Sequence, residues 1–313
     1  MALTPLLLIM KNFYDIENAC LINLSNAGEC WHMWTSDSFP IIFTNVDDFK
    51  AGMFIVGFAL SLLPGLRLLT FELMSNHMHF TLAGSEAKCL EFFRLLVFYL
   101  ARNFKGKGRT INFSGLDCRL RRLETIQDVR NVITYNNRNG YIVHPEHSPY
   151  SFPWGANSYY YMPYALKYYS ECKQRIPVRA RRDIIHSHDA DHADGILAVD
   201  GCACPLSYCD ISSGERMFRG AAHYFQEISR NIEGQKAIAK EIGESIFYTD
   251  DELFRIVSAM CRDKYGQAAP SLIPGSAKME IAKYMHYEYN SNNKQICRML
   301  KINDTVINSL FRQ

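Results

Sequence analysis

Two hydrophobic periods run through the first half of the chain. Side chains two apart share a face of a strand, and those three or four apart share a face of a helix. On that basis Cys30 to Thr35 (CWHMWT), dense in aromatic residues, predicts a strand. Val46 to Leu63 has helical spacing and stops at the breaking pair Pro64-Gly65. Leu66 to Leu73 and His77 to Ala83 read as β-type runs on either side of the polar step Ser75-Asn76. Phe92 to Phe104 predicts an amphipathic helix and Asn112 to Leu120 a strand. Gln127 to Arg138 predicts a helix with Thr125 as N-cap and Gly140 just past its end. Strands and helices in short antiparallel steps predict an α+β sheet domain.

The pattern then changes. Pro145 to Trp154 is a loop of Pro, Ser and aromatic residues, followed by a tyrosine-dense stretch, Tyr159 to Tyr169. Residues 173–200, basic and then rich in His and Asp, read as a linker. Beyond them Arg216 to Glu233 and Gln235 to Ile246 predict helices, and Asp250-Asp251 caps another that runs to about Tyr265. The C-terminus predicts three short helices: Lys278 to Tyr289, Asn292 to Leu300 with Ile296 and Leu300 inward, and Asp304 to Phe311 with Asn303 as cap and Val306 and Leu310 inward. This is the spacing of a helix-turn-helix DNA-binding unit, whose third helix offers Asp304, Thr305 and Asn308 to a groove. A helical cap without DNA contact has the same pattern. The expected organisation is a sheet domain over 1–170, a linker over 171–200, a helical region over 201–275 and a helix-turn-helix over 276–313.

Composition adds limits. With 313 residues, 48% hydrophobic and 21% charged, the chain can bury a core and is not of the disordered class. A formal net charge of +2 neither demands nor excludes nucleic acid. Basic residues nevertheless cluster: Lys105, Lys107 and Arg109; Arg119, Arg121 and Arg122; and Lys173, Arg175, Arg179, Arg181 and Arg182. Each cluster suits phosphates or a solvated face. The ten cysteines form no even framework. The apolar run Met1 to Met10 lacks the flanks of a signal peptide, and Met53 to Leu63 is too short to span a bilayer. A soluble, cytoplasmic protein with reduced thiols and no membrane partner is expected.

The candidate chemistry lies in FELMSNHMHFTLAG, Phe71 to Gly84. On a strand His77, His79 and Thr81 share one face, and Met78, Phe80 and Leu82 face the core. Two imidazoles so placed can share a divalent ion. In VRNVITYNNRNGYIV, Tyr135 and Asn139 stand one helical turn apart on one face. The Asn139 amide oxygen can complete a metal site begun by two histidines, which sets Tyr135 beside any phosphate held there.

These two motifs resemble the HUH single-tyrosine transposases, in particular the REP-associated tyrosine transposases and the insertion-sequence-200/605 type. Met74, Ser75, Asn76, His77, Met78 and His79 match the family's Met-Pro-Asn-His-hydrophobic-His, with Ser75 in place of Pro. Tyr135 and Asn139 match the outer residues of its Tyr-Ile-x-x-Asn-Pro, with Gly140 in place of Pro. Ser151 to Gly155 (SFPWG) echoes a later Tyr-Pro-Trp-Ser-Ser loop. The resemblance covers roughly residues 25–160. It implies a ferredoxin-like antiparallel sheet with helices and, commonly, a homodimer. It further implies Mg²⁺ or Mn²⁺ on His77, His79 and Asn139, and Tyr135 as nucleophile toward single-stranded DNA, including hairpin or repeat ends. The product is a 5′-phosphotyrosine link that allows strand transfer. A phenol is a weak nucleophile, with a pKa near ~10, so polarisation of the phosphate must carry much of the catalysis. Candidate DNA contacts are Arg119, Arg121 and Arg122, with Thr305 and Asn308 for duplex DNA.

Other patterns are weighed against this one. Cys202, Cys204 and Cys209 follow His186, His188 and His192, but Cys-x-Cys-x4-Cys has no second knuckle to make a zinc site. The tyrosines at 159, 160, 161, 164, 168 and 169 suit base stacking or plain packing. His32, on the first strand, could approach the site. A non-catalytic DNA-binding regulator with the same fold is the main alternative function. A metal-independent phosphoesterase is disfavoured, because His79-Phe80-Thr81 has no second copy.

Overall fold

The computed structural model describes residues 29–143, 151–230, 238–239, 248 and 250–311. The apolar run at 1–10, the first part of the 145–154 loop and most of the helix expected over 235–246 lie outside the described residues. The chain divides into two compact units, Met1–Ile238 and Ala239–Gln313. It is a mixed α+β protein with two small antiparallel sheets and helical regions.

The main sheet contains β1 (Cys30–Thr35), β2 (Arg67–Leu73), β3 (Met78–Ala83) and β4 (Cys118–Leu123) in the order β2-β3-β1-β4, all neighbours antiparallel. Three helices pack on it: α1 (Val46–Ser61), α2 (Glu86–Gly106) and α3 (Ile126–Val143). Asn45 caps α1 by accepting from the Asp48 amide. At the start of α3, Thr125 Oγ1 accepts from the Asp128 amide, and the Thr125 amide donates to the Asp128 carboxylate.

Two sequence expectations change. The fourth strand begins at Cys118; Phe113–Gly115 is a 3₁₀ turn with Asn112 as its cap. The tyrosine helix runs through Gly140 to Val143. Gly140 stays helical because the Phe152 ring lies against its Cα, where a side chain would collide, and its amide donates to Glu72 Oε2 at 2.6 Å.

The sheet has two unlike faces. Met33, Phe71, Phe80 and Leu82 are fully buried on the face covered by α1 and α2, with Phe80 edge-on to Phe92 at 5.3 Å. The other face is polar, and buried on β1, β2 and β3 but not on the edge strand β4, where Arg119 is exposed and Arg121 half-buried. Opposed residues form two rows across the strands: Glu72, His79, Trp34 and Arg119, then Thr70, Thr81, His32 and Arg121. Helix α3 lies over this polar face. Burying polar groups is costly unless they are bonded. Here Asn136 Nδ2 donates to Thr81 Oγ1 at 3.0 Å, Thr70 Oγ1 donates to Asn137 Oδ1, and Asn137 Nδ2 donates to the Tyr224 hydroxyl at 2.8 Å.

After the sheet, residues 173–200 carry defined structure. Helix α4 (Pro163–Cys172) leads into β5 (Gln174–Arg175), α5 (Val178–Ile185) and a 3₁₀ turn over His188–Ala193. A second sheet follows, order β5-β6-β7, with β6 (Leu197–Val199) and β7 (Cys202–Ala203) joined at Asp200-Gly201, both with positive φ. Helices α6 (Ile211–Glu215) and α7 (Ala221–Arg230) complete the described part of the first unit. The segment expected to be helical from Arg216 is a turn until Ala221.

The second unit contains α8 (Asp250–Tyr265), α9 (Gly275–Tyr287), α10 (Asn293–Leu300) and α11 (Asp304–Leu310). Asn292 and Gln295 form a capping box at α10, and Asn303 caps α11 by accepting from the Thr305 amide. Ile296 and Leu300 are buried as the periodicity predicts. The cap at Asn303 and the start of α11 at Asp304 are as expected, but the buried residue of this helix is Ile307, whereas Val306 is 42% exposed. No helix among the described residues is long and apolar enough to cross a membrane.

Candidate active site

The polar face between the sheet and α3 gathers the candidate residues. His77 lies just before β3 and His79 within it, with ring centroids 5.0 Å apart. Tyr135 stands edge-on to His79 at 5.7 Å and to His32 at 6.3 Å. One turn further along α3, Asn139 Nδ2 lies 3.0 Å from His79 Nε2. His77, His79, Tyr135 and Asn139 are all buried, at 8%, 0%, 7% and 8% exposure. The alternation of the strand and the i, i+4 spacing of the helix therefore bring all four together.

Local bonds orient these groups. Asn76 Nδ2 donates to the carbonyl of Asp37, which turns Oδ1 toward His77. That oxygen, which can only accept, lies 2.9 Å from His77 Nδ1. The Ser75 carbonyl accepts from the amides of Ile42 and Phe43, anchoring the turn before the histidines.

Two further residues join the site, His32, which the strand pattern already put within reach, and Glu72, which it did not single out. His32 is buried on β1 and stacks with Trp34 at 4.7 Å and with His79 at 5.8 Å. Glu72 is buried directly across β2 from His79. Burial drives its carboxyl well above the usual carboxylate range, and the Gly140 amide only partly counters this. The signal for Glu72 was present: Thr70 and Glu72 alternate with Leu69, Phe71 and Leu73, so a charged residue occupies the same face as the histidines.

Divalent-cation chemistry can be tested against this donor set. As they stand, Asn139 Nδ2 and His79 Nε2 are hydrogen-bond partners 3.0 Å apart, so a cation would replace this bond and take the Asn139 amide oxygen in its place. Glu72 Oε1 is buried beside them with no hydrogen-bond partner among the described residues. The donor types fit a hard divalent cation. Among the described residues, however, no group of three or more His, Cys, Asp or Glu side chains is arranged to hold a metal. A cation here therefore depends on the Asn139 amide.

The arginines of β4 divide. Arg121 stands opposite His32 and Arg119 opposite Trp34, on the site face. Arg119 also pairs with Asp117 at 3.1 Å. Arg122 has the other parity and pairs with Glu29 at 2.8 Å. In the second unit Thr305 and Asn308 are exposed, with Thr305 Oγ1 donating to Asn303 and Asn308 accepting from Asn293 at 2.8 Å.

In the other two clusters, three members serve structure. Lys107 and Arg109 both pair with buried Asp48, at 3.1 and 2.9 Å. Arg181 is buried and bonds Asp194 at 2.6 Å. Burial pushes the Cys202 thiol up to about 11 and Cys209 further, which keeps them protonated at neutral pH.

No protein-family profile matches the chain, and no curated protein does. Among solved structures, one described as a REP-associated tyrosine transposase bound to a REP hairpin aligns with 41% of this chain and 76% of its own, at 11% identity and a TM-score of 0.29. This is a weak and partial likeness.

Proposed function

We propose that this chain is a transposase-type endonuclease and strand transferase acting on single-stranded DNA, with Tyr135 as nucleophile. One observation carries the reading: His77, His79 and Asn139 converge on one buried polar face with Tyr135 one helical turn from Asn139. His77, His79 and Asn139 would hold Mg²⁺ or Mn²⁺, and such an ion supplies polarisation of a non-bridging phosphate oxygen. The Tyr135 oxygen forms a bond to phosphorus as the phosphorus–O3′ bond breaks. The phenolic proton is lost and the O3′ gains one, leaving a 5′-phosphotyrosine and a 3′-hydroxyl. The link keeps a phosphodiester's energy, so attack by another 3′-hydroxyl reseals the strand without ATP. Arg119 and Arg121, on the same sheet face, are assigned to the strand's phosphates. The α9–α11 unit is assigned to duplex DNA through Thr305 and Asn308.

A second reading, a DNA-binding regulator without cleavage, is favoured by one observation. Tyr135 is only 7% exposed, so an incoming phosphate needs α3 or its cover to open.

Covalent trapping separates the two. Protein and Tyr135→Phe are incubated with labelled single-stranded oligonucleotides from the gene's own flanks and Mn²⁺, then run on a denaturing gel. A metal-dependent adduct that disappears in Tyr135→Phe is expected. Binding of the same oligonucleotides without any adduct would overturn the nuclease reading in favour of the regulator.

A further inference from the structure

A second cavity lies around the edge of the sheet from the candidate site, with a volume of about 330 Å³. It falls within the small-molecule range of roughly 300–1,000 Å³. Its walls include four aromatic rings, Trp154, Tyr159, Tyr168 and Tyr169, with Lys50 and Asp200 at the polar positions. Several of these groups are held in place. Trp154 stacks on Phe49 at 4.8 Å and 12°. Tyr169 has the Lys173 ammonium 5.3 Å from its ring centroid. The Tyr168 hydroxyl donates to both oxygens of Asp200, each at 3.1 Å, and Asp200 is set by the tight turn between β6 and β7.

The cavity is tied to the site by the segment Ser151–Ala156. Its Phe152 packs on Gly140 of α3, on the site face. The Gly155 backbone pairs with Glu72, and the Trp154 carbonyl accepts from the Leu73 amide at 2.8 Å. Trp154 itself turns to the α1 side, against Phe49. The backbone of this segment is therefore two strand spacings from β3, about 10 Å.

We propose that this cavity takes one unstacked base of the single-stranded DNA whose backbone lies at the candidate site. The proposal rests on the nucleic-acid reading above. Flat, pre-oriented rings favour a flat aromatic ligand, because stacking on a fixed platform costs little side-chain entropy. Lys50 donates to a base carbonyl or the adjoining phosphate, and Asp200 keeps lone pairs for a base N–H or amino group. The tyrosine-dense stretch thus divides in two. Tyr160 is wholly buried and donates to the Leu69 carbonyl, serving packing. Tyr159, Tyr168 and Tyr169 line the cavity.

The test is binding without chemistry. Full-length Tyr135→Phe is titrated in EDTA into fluorescein-labelled unstructured 15-mers, read by anisotropy, with Tyr168→Ala and Tyr168→Phe added to the same background. Tyr168 is 40% exposed, and circular dichroism verifies that each variant folds. Tyr168→Ala is expected to raise Kd about 5- to 150-fold, the range of one base–aromatic stack. Tyr168→Phe, which keeps the ring, is expected to stay within about threefold. A scan of single abasic nucleotides is expected to find one position whose loss weakens the parent and costs Tyr168→Ala nothing more. Equal affinity of Tyr168→Ala and parent, a flat abasic scan, or no oligonucleotide binding at all would overturn the proposal. Competition by deoxynucleoside monophosphates at the oligonucleotide's own concentration would overturn the assignment to a DNA strand and identify a free nucleotide. A Tyr135-dependent adduct with a flat Tyr168 result would sink the pocket and leave the nuclease intact.

Discussion

Adding a single methyl group at Gly140 tests how α3 is fastened. A Cβ there would meet Phe152 ring carbons at 2.2, 2.3 and 2.6 Å, against 3.4–4 Å for ordinary contact. Phe152 is 2% exposed, so the ring cannot swing into solvent without leaving its own cavity. Something must retreat by roughly 1 Å in a close-packed region. Overpacking of this kind costs about 1–3 kcal/mol, and expelling the ring outright about 3–5 kcal/mol. Against it stands the helix propensity of Ala over Gly, about 1 kcal/mol. Gly140→Ala should therefore destabilise the first unit by up to about 2 kcal/mol if Phe152 stays in place. In a Phe152→Ala background the collision is gone and only propensity remains, so the same change should stabilise by up to about 1 kcal/mol. Urea unfolding followed by tryptophan fluorescence suits the measurement, because Trp31, Trp34 and Trp154 all lie in the first unit. A Gly140→Ala protein more stable than the parent in both backgrounds would refute the packing argument.

Further outcomes follow from the same geometry. Asp48 is buried, which by itself raises its pKa, but bonds from Thr44 and the charges of Lys107 and Arg109 outweigh this and hold it below the usual value. Asp48→Asn should cost about 2–3 kcal/mol at pH 7, discounted because both cations are partly exposed. The stabilisation is present above the ordinary carboxylate pKa and lost as pH falls through the depressed folded value. The parent–variant gap in urea midpoints should therefore narrow as the solution is made more acidic than the ordinary carboxylate range; a gap unchanged under those conditions contradicts the assignment. Arg121→Ala should lower the salt slope of single-strand binding by about 0.7, the value for one phosphate contact, whereas Arg122→Ala should leave it unchanged. Equal slopes for the two variants would remove Arg121 from the proposed interface. In the second unit Asn292→Ala deletes a capping box and should cost about 1 kcal/mol, read as reduced helicity on thermal melting. Unaltered melting would mean that the cap contributes nothing.

The sequence alone was enough to place β1, to read β2 and β3 to within a residue at their starts, and to put His77, His79, Tyr135 and Asn139 on matching faces. Those are consequences of local periodicity, two residues in a strand and 3.6 in a helix, which backbone geometry imposes whatever the rest of the chain does. Caps were legible for the same reason, since Asn303 and Thr125 bond within three residues of themselves. What depends on distant partners was not. Gly140 reads as a helix end until Phe152 and Glu72 arrive from other elements to occupy its Cα face and its amide. Residues 173–200 are polar enough to read as a linker, yet β5 and β6 pair within them and Arg181 is buried against Asp194. The basic clusters look alike in sequence, and only tertiary pairing separates Arg122, tied to Glu29, from Arg121, set opposite His32. The aromatic cavity is the clearest case. Its walls come from α1, the 151–159 segment, α4 and the β6–β7 turn, and no local rule brings such distant side chains together. Side-chain convergence across elements is set by sheet order and packing, which a one-dimensional pattern does not contain.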